Sequence, residues 1–348
     1  MDTQNIPVHV RLWNKHFWLL AMANLLLVMS SYMLVATIPL RMEVRGYSIL
    51  QIALVMGVFF IGIYLFGSLS GYLVQRYRRK NVFNFSILLL LAVTGVLYYL
   101  SSLPYNSFDY MLLVGLRFMQ GAFYGLSQLV LLSTLIIDTV EAVHRTEANH
   151  AATWFGRFAL SLGPLAGIYV YQSMNFGSVL ILSCICLLVA FVFVNLIRFP
   201  FRMPSEDYSR FSFDRFLLKG SHWLFVNVVL VTSVVGVLLS IEHTPRFYGM
   251  MMLGFVIAIL AERFVFADAD LRSEATTGMI VIGIAVLLMI TRRQESVSYI
   301  VPILIGFGVG LIGSRFLLFF IKMSDHCQRG TSQSTFLLAW ETGIGIGL

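Results

Sequence analysis

Four ionisable side chains lie within long apolar segments of this chain: Arg117, Arg157, Arg315 and Glu341. An arginine in the middle of an apolar helix costs roughly 2.5–3.5 kcal/mol on membrane-insertion scales, so it is expected to face a partner or a polar cavity. The chemistry open to such residues is the binding of a charged group or the transfer of a proton. The elements that position them decide which of these applies.

Arg117 is the first member of a polar stripe that has the spacing of one helical face. The stripe comprises Arg117, Gln120, Tyr124, Ser127, Gln128, Thr134 and Asp138. Such a stripe is unfavourable against lipid, so we expect it to line a central cavity. There Arg117 would bind an anionic group or tune a proton carrier. In the alternative interpretation, Arg117 is a structural tie to backbone carbonyl groups and to Gln120.

Glu341 is the one carboxylate that the sequence places deep within an apolar segment. It follows Arg329 by 12 residues, which is a helical rise of about 18 Å. Burial favours the protonated form of a carboxyl group, which can then bind and release a proton near neutral pH. The sequence therefore predicts either a proton-coupling site or a permanent ion pair with an arginine inside the membrane.

Arg157 shares a helical face with His150, Trp154 and Ser161, at successive spacings of 4, 3 and 4 residues. This spacing is that of neighbours on one side of a helix, and we expect the face to form a wall of the cavity. Asn24, in the first apolar segment, is a candidate contact for a substrate, with helix packing as the alternative.

Asp138 lies at the end of its apolar segment, close in sequence to basic residues. One interpretation is a gate contact with Arg76, Arg79 or Arg145. The other is a solvated charge at the end of a helix.

Eleven apolar segments would have to position these side chains. They cover residues 17–40, 48–74, 81–103, 110–138, 148–171, 177–197, 217–241, 246–266, 275–291, 297–321 and 330–348. Each approaches or exceeds the roughly 20 residues that a helix needs to cross a bilayer, and none alternates as the strands of a membrane β-barrel do. Hydrophobic residues make up 58% of the 348-residue chain and charged residues only 12%. The sequence predicts an all-α integral membrane protein.

The lysines and arginines are distributed unevenly between the two ends of these segments. With the N-terminus in the cytoplasm, 16 of the 24 basic residues lie on the cytoplasmic side, five on the outer side and three within segments. This bias follows the positive-inside rule and predicts a multi-pass protein of the cytoplasmic (inner) membrane. It also accounts for the net charge of +7 without a nucleic-acid partner.

The second half of the chain repeats features of the first. A long polar stretch follows the sixth segment, so we predict a six-helix half over residues 1–199, a cytoplasmic linker over 200–216 and a second half over 217–348. Arg157 and Glu341 each follow a loop arginine by 12 residues. Duplicated halves are typical of transporters that bind their substrate between them. A plan of twelve helices predicts that the chain stops within its eleventh helix and lacks a twelfth.

Several motifs match a known family in their order and spacing. The loop after the second segment reads Gly71-Tyr-Leu-Val-Gln75-Arg76-Tyr-Arg78-Arg79-Lys80, the fourth segment contains Arg117-Phe-Met-Gln120-Gly121, and the fifth contains Gly163-Pro164-Leu-Ala-Gly167. Further matches are Ala261-Glu262-Arg263 and the segment from Arg329 through Trp340-Glu341-Thr-Gly343. Together these residues resemble the major facilitator superfamily (MFS), and in particular its bacterial efflux permeases.

The resemblance implies the MFS fold of two six-helix halves, here with about 11 of the expected 12 transmembrane helices. It implies a monomeric secondary transporter without a cofactor, which moves a small molecule by alternating access and couples its efflux to protons. Proton-coupled uptake of a sugar or nucleoside is the alternative, and a non-transporting sensor or scaffold on this fold is a third. The sequence shows neither the constellation of an intramembrane enzyme nor a metal-binding pair such as HExxH.

The resemblance makes Gly71, Gln75, Arg76, Arg79 and Lys80 a loop motif that helps to latch the inward gate. Gln75 stands where the family has an aspartate. An amide can form hydrogen bonds but cannot pair as a charge, so the latch is expected to differ from that of the family.

The resemblance also makes Gly163, Pro164 and Gly167 a shortened form of the glycine-proline motif of antiporters. Pro164 removes a backbone hydrogen bond to Leu160, which allows the helix to bend there.

Gly308-Val-Gly310-Leu-Ile-Gly313 matches the dinucleotide-binding pattern letter for letter. That pattern needs a preceding strand, whereas this one lies within an apolar segment. Its spacing instead predicts close packing of helices.

Overall fold

Helices account for nearly all of the part of the chain that the computed structural model describes, namely residues 13–102, 109–140, 144–199, 216–266, 269–291, 294–325 and 328–348. They are α1 (Lys15–Val44), α2 (Ile49–Arg76), α3 (Arg79–Ser101), α4 (Tyr110–Asp138), α5 (Arg145–Ser173), α6 (Phe176–Asn195), α7 (His222–Ile241), α8 (Pro245–Phe264), α9 (Leu271–Thr291), α10 (Glu295–Lys322) and α11 (Arg329–Gly347). The prediction of an all-helical fold with about 11 helices is confirmed.

Within the described ranges, nine of these helices are long and apolar enough to cross a membrane. The other two, α5 and α11, contain more polar residues. They are also the helices that contain Arg157 and Glu341. The two helices with the least favourable composition for lipid therefore carry two of the four ionisable side chains that the sequence singled out.

Three helices differ from the predicted segments for identifiable reasons. The predicted seventh segment begins at residue 217, but α7 begins at His222 because Gly220, with a φ of +80°, forms a turn first. The predicted ninth segment begins at residue 275, but α9 begins at Leu271 and includes Glu274, which is buried. α2 is continuous in sequence but consists of two helical pieces, Ile49–Gly62 and Gly67–Arg76, joined by a turn.

The helix pairings of the first part of the chain recur in the second. α1 packs on α5, α2 on α4 and α3 on α4. In the same order, α7 packs on α11, α8 on α10 and α9 on α10. We call α1–α6 the first helix group and α7–α11 the second. The groups meet where α5 packs on α8, and where α2 and α4 pack on α11.

The division of the chain at residues 199, 216 and 217 stays a prediction. Residues 200–215 of the predicted linker lie outside the described residues.

Glycines allow the closest of these helix pairs to form. A Cβ atom on Gly121 of α4 would lie 1.8 Å from the carbonyl oxygen of Phe59 on α2. In the corresponding pair, a Cβ atom on Gly306 of α10 would lie 2.1 Å from the carbonyl oxygen of Met251 on α8. Both distances are far below van der Waals contact, so only glycine fits at these two crossings.

The glycines of the dinucleotide-like motif each face a different neighbour. A Cβ atom on Gly308 would lie 2.6 Å from the side chain of Ile282, and one on Gly310 would lie 2.7 Å from Ala258. On Gly313 it would lie 2.5 Å from the guanidinium of Arg157. The motif therefore lets α10 approach α9, α8 and α5 closely.

Phe216, just before α7, lies between the two helix groups. Its ring fills the space beside Gly67 of α2, where a Cβ atom would lie 2.2 Å from the ring, and it meets Tyr64 edge to face at 6.1 Å. Its carbonyl oxygen accepts a hydrogen bond from the hydroxyl of Thr335 on α11 at 3.4 Å. The backbone N–H of Leu218 donates to the same hydroxyl at 2.8 Å. This short segment thus joins α2 to α11.

Candidate functional site

A narrow cavity lies between α1, α4, α5 and α11. We call it the central cavity. Its polar lining includes four residues that were predicted from the sequence, Asn24, Gln128, Arg157 and Glu341. It also includes Tyr32, which was not predicted. Phe336 and Trp340 supply aromatic walls. The site thus combines one carboxyl group, one guanidinium and rings that can pack on an organic molecule.

Glu341 forms hydrogen bonds to two tyrosines of the first helix group. The hydroxyl of Tyr32, on α1, donates to Oε2 at 3.0 Å, and that of Tyr124, on α4, donates to Oε1 at 3.0 Å. Glu341 is only 3% exposed. A single carboxyl group on α11 is therefore tied to the first helix group at two points.

Tyr32 was not among the residues predicted from the sequence. It follows Asn24 by eight residues in α1, which places both on one helical face. That spacing could have identified Tyr32 as a candidate, because Asn24 was already one. The residue that it would meet is more than 300 positions away, and no sequence pattern specifies that contact.

Arg157 lies in the same cavity but does not pair with Glu341. Its guanidinium packs over the ring of Trp154 at 4.5 Å, and Nη1 donates to the carbonyl oxygen of Gly310 at 3.4 Å. Nε and Nη2 are buried and have no acceptor among the described residues. The interpretation of Glu341 as a permanent ion-pair partner of an arginine does not describe this arrangement.

Asn24 contributes to both packing and the cavity. Its side-chain amide donates from Nδ2 to the carbonyl oxygen of Ala152 on α5 at 3.0 Å. Its Oδ1 is buried and accepts no hydrogen bond from the described residues. One half of the amide therefore joins α1 to α5, and the other half has no partner among the described residues.

The predicted polar stripe is divided between two places. Tyr124 and Gln128 approach Glu341 and the central cavity. Arg117 and Gln120 line a second, smaller cavity within the first helix group. Arg117 donates from Nη1 to Gln120 Oε1 at 3.0 Å, as the structural interpretation expected.

The sequence from residue 20 to residue 348 matches the profile of the Major Facilitator Superfamily. The chain belongs to this superfamily. Among solved structures, it is similar to the crystal structure of the human organic anion transporter MFSD10 (TETRAN), with a TM-score of 0.70 and 14% sequence identity. That match covers 96% of this chain and 91% of the other. At this identity the likeness establishes the MFS fold. No curated protein matches the chain.

In this MFS member the loop motif joins helices of the first group to each other. Arg79, at the start of α3, forms an ion pair with Asp138, at the end of α4. Arg79 is one of the three basic partners proposed for Asp138. Lys80 donates to the carbonyl oxygens of Asn195 at 3.0 Å and Ile197 at 2.9 Å, which satisfies the C-terminal end of α6.

The remaining loop residues occupy different surroundings. Gly71 is buried, Gln75 is half-buried and Arg76 is exposed. The pairing of Arg79 with Asp138 stays within one helix group, so it fixes α3 against α4 and does not itself hold the two groups together.

The glycine-proline motif of this MFS member positions Tyr32. A Cβ atom on Gly163 would lie 2.9 Å from Cβ of Tyr32, and one on Gly167 would lie 3.0 Å from Cα of Met33. α5 continues as a helix through Pro164. The two glycines let α5 lie directly against the turn of α1 from which Tyr32 reaches Glu341.

A second polar cluster, missed from the sequence, joins α5 to the second helix group. Glu262 on α8 accepts from His150 Nε2 at 3.1 Å and from Arg315 Nη2 at 3.1 Å. Arg315 also binds Glu274 of α9 through Nε at 2.5 Å. Glu274 had been placed in a loop, and Glu262 was noticed only for its likeness to a loop signature. The described residues contain no group of three or more His, Cys, Asp or Glu side chains that could hold a metal ion.

Replacing Glu262 by glutamine is expected to lower the free energy of unfolding by about 2 kcal/mol, because it leaves the buried charge of Arg315 with weaker compensation. Denaturant titration of the purified protein in detergent measures this change. The matched control is Glu147→Gln, which alters an ion pair to His144 whose carboxylate is 61% exposed. It should change stability by about 0.5 kcal/mol or less. If both substitutions changed the free energy of unfolding equally, the cluster around Glu262 would not stabilise the fold.

Proposed function

We propose that this MFS member is a secondary transporter that moves a small organic molecule by alternating access and couples that movement to protons through Glu341. The observation that carries the proposal is the pair of hydrogen bonds from Tyr32 and Tyr124 to the Glu341 carboxyl group. They connect the two helix groups beside the central cavity. Any change in the charge of this carboxyl group therefore acts on the contact between the groups.

Protonation changes how many hydrogen bonds Glu341 can accept and how strong they are. The ionised carboxylate accepts from both phenols at once. The neutral acid carries an O–H of its own, so its remaining bonds are between neutral groups. Bonds to a charged group contribute about 1 kcal/mol more than neutral ones. Two such bonds make a difference of about 2 kcal/mol, a factor of about 30 in the equilibrium between joined and separated groups.

The central cavity favours an organic substrate with an anionic or strongly polar group. Arg157 and Asn24 both line this cavity. Among the described residues, Arg157 Nε and Nη2 have no acceptor and Asn24 Oδ1 has no donor. Phe336 and Trp340 provide apolar rings for the rest of the molecule. The solved neighbour MFSD10 is described as an organic anion transporter, and an anion is the charge type that the guanidinium of Arg157 would bind.

We propose export in exchange for protons as the direction of transport. The support for it is the glycine-proline segment at Gly163 to Gly167, which resembles the antiporter motif. Uptake of the substrate together with protons would use the same residues. The experiment below distinguishes uptake from export.

The test uses purified protein in liposomes that contain a pH-sensitive dye. Three probes are added in turn: p-aminohippurate as an organic anion, ethidium as an organic cation and sucrose as a neutral solute. Proton movement that depends on one probe, and that reverses when the imposed pH gradient is reversed, is the expected result. The sign of the proton movement distinguishes exchange from cotransport. Movement of a probe across the membrane with no accompanying movement of protons would contradict proton coupling.

A further inference from the structure

The second cavity lies wholly within the first helix group and belongs to no part of the proposed transport site. Its walls come from α1, α2, α3, α4 and α6. It is so narrow that it admits only a particle of about the size of one water molecule. We call it the Arg117 cavity.

Arg117 brings a full positive charge into this cavity. The residue is 0% exposed, and a guanidinium stays protonated in proteins. Its face packs over the ring of Phe59 at 4.5 Å, and Nη1 donates to Gln120. Nε and Nη2 have no acceptor among the described residues. No acidic side chain is among the described residues that line the cavity.

The other polar groups of the cavity are uncharged, and most of them are already hydrogen-bonded. The hydroxyls of Ser30, Thr94 and Ser183 each donate to a backbone carbonyl oxygen, at 2.7, 2.8 and 3.1 Å. Thr94 Oγ1 also accepts from Gln120 Nε2 at 3.2 Å. Ser31 lines the same space and can donate its hydroxyl hydrogen. The cavity therefore offers only neutral groups, and among the described residues that line it the buried charge has no partner of opposite sign.

We propose that the Arg117 cavity is a binding site for a small inorganic anion of the size of chloride, held by Arg117 and the hydroxyl of Ser31. An anion supplies the acceptor that Nε and Nη2 lack and compensates the buried charge, which is otherwise costly in a low-dielectric interior. A cation is repelled by Arg117, and an organic anion exceeds the space. This site goes beyond the proposed function, because its walls contain no residue of the second helix group.

Thermal unfolding of the purified protein in detergent tests the proposal. Sodium chloride is compared with sodium gluconate at constant ionic strength, so that general salt effects cancel. We expect chloride to raise Tm by about 3 °C in a saturable manner, as a ligand specific for the folded state does. Arg117→Gln should abolish the chloride response. Arg157→Gln, which removes the other buried arginine that lacks an acceptor, should retain it.

A second variant and a direct measurement keep the test decisive if Arg117→Gln does not fold. Ser31→Val removes one donor and adds bulk to the cavity, and it should weaken chloride binding at least tenfold. Bromide has anomalous scattering, and it should give a single strong peak beside Arg117 in crystals of the protein. Equal Tm values in chloride and gluconate would overturn the proposal. A chloride response that persists in Arg117→Gln or Ser31→Val would do so as well. Because none of these readouts involves transport, they are independent of whether Glu341 couples protons.

Discussion

The Glu341→Gln variant is expected to lose proton-driven transport by a factor of about 100 while it continues to exchange substrate across the membrane. Glutamine keeps the size of the side chain, and its amide can still bond to both tyrosines: the carbonyl oxygen accepts from one hydroxyl and the NH2 group donates to the oxygen of the other. It cannot bind or release a proton. The contact between the helix groups then has one strength at every pH, so a proton gradient can no longer drive accumulation, whereas counterflow needs no gradient.

The measurement is accumulation of a probe in liposomes under an imposed pH gradient, with counterflow of the same probe as the second readout. Glu295→Gln is the matched control, because Glu295 is an exposed carboxylate at the start of α10. It should leave both activities unchanged. If Glu341→Gln kept full proton-dependent accumulation, the coupling role of Glu341 would be wrong. If it lost counterflow as well, Glu341 would be a substrate or structural contact instead.

The Gly121→Ala variant is expected to lower the free energy of unfolding by about 3 kcal/mol, near the upper end for overpacking by one methyl group. The added Cβ atom would lie 1.8 Å from the carbonyl oxygen of Phe59 and 2.7 Å from its carbonyl carbon. Both atoms belong to the backbone of α2, which cannot move aside as a side chain can. The helices must separate, and the cation–aromatic contact between Phe59 and Arg117 separates with them.

Gly115→Ala, on the same helix, is the control for this experiment. A Cβ atom on Gly115 would have nothing within 4 Å, and alanine has the higher helix propensity. Denaturant titration in detergent should show that Gly115→Ala is neutral or slightly stabilising. Similar losses for both variants would mean that the α2–α4 crossing is looser than these contacts indicate.

The helices could be predicted from the sequence because each one needs an apolar surface of fixed length. That requirement is local, so composition alone places α1 or α10 to within a few residues. It fails where a polar residue is buried by a distant partner. Glu274 was excluded from α9 on composition, yet it is buried because Arg315 of α10 binds it.

The candidate site was predictable in its residues but only in part in its geometry. Burial of Glu341 and Arg157 follows from their position in apolar segments. Their separation does not, because it depends on how the two helix groups meet. The contact of Glu262 with His150 was missed for the same reason, since the two residues are 112 positions apart.

The polar stripe of α4 shows a further limit of helical spacing. Residues Leu131–Leu135 form a π-helical turn, which holds one residue more than an α-helical turn. An extra residue rotates all later side chains by about 100°. Asp138 is therefore turned toward Arg79 of α3, although regular spacing would place it on the face of Arg117. A count of residues from the sequence cannot include an irregular turn of this kind.

Phe216 has a consequence for how the two helix groups can part. Its ring lies against α2, its carbonyl oxygen is bound to α11, and its own chain continues directly into α7. We infer that these groups cannot separate at this end until the ring has been withdrawn. The size of the side chain at position 216 then sets how easily this end of the contact opens. A change there would alter the ease of opening while every residue of the central cavity stayed the same.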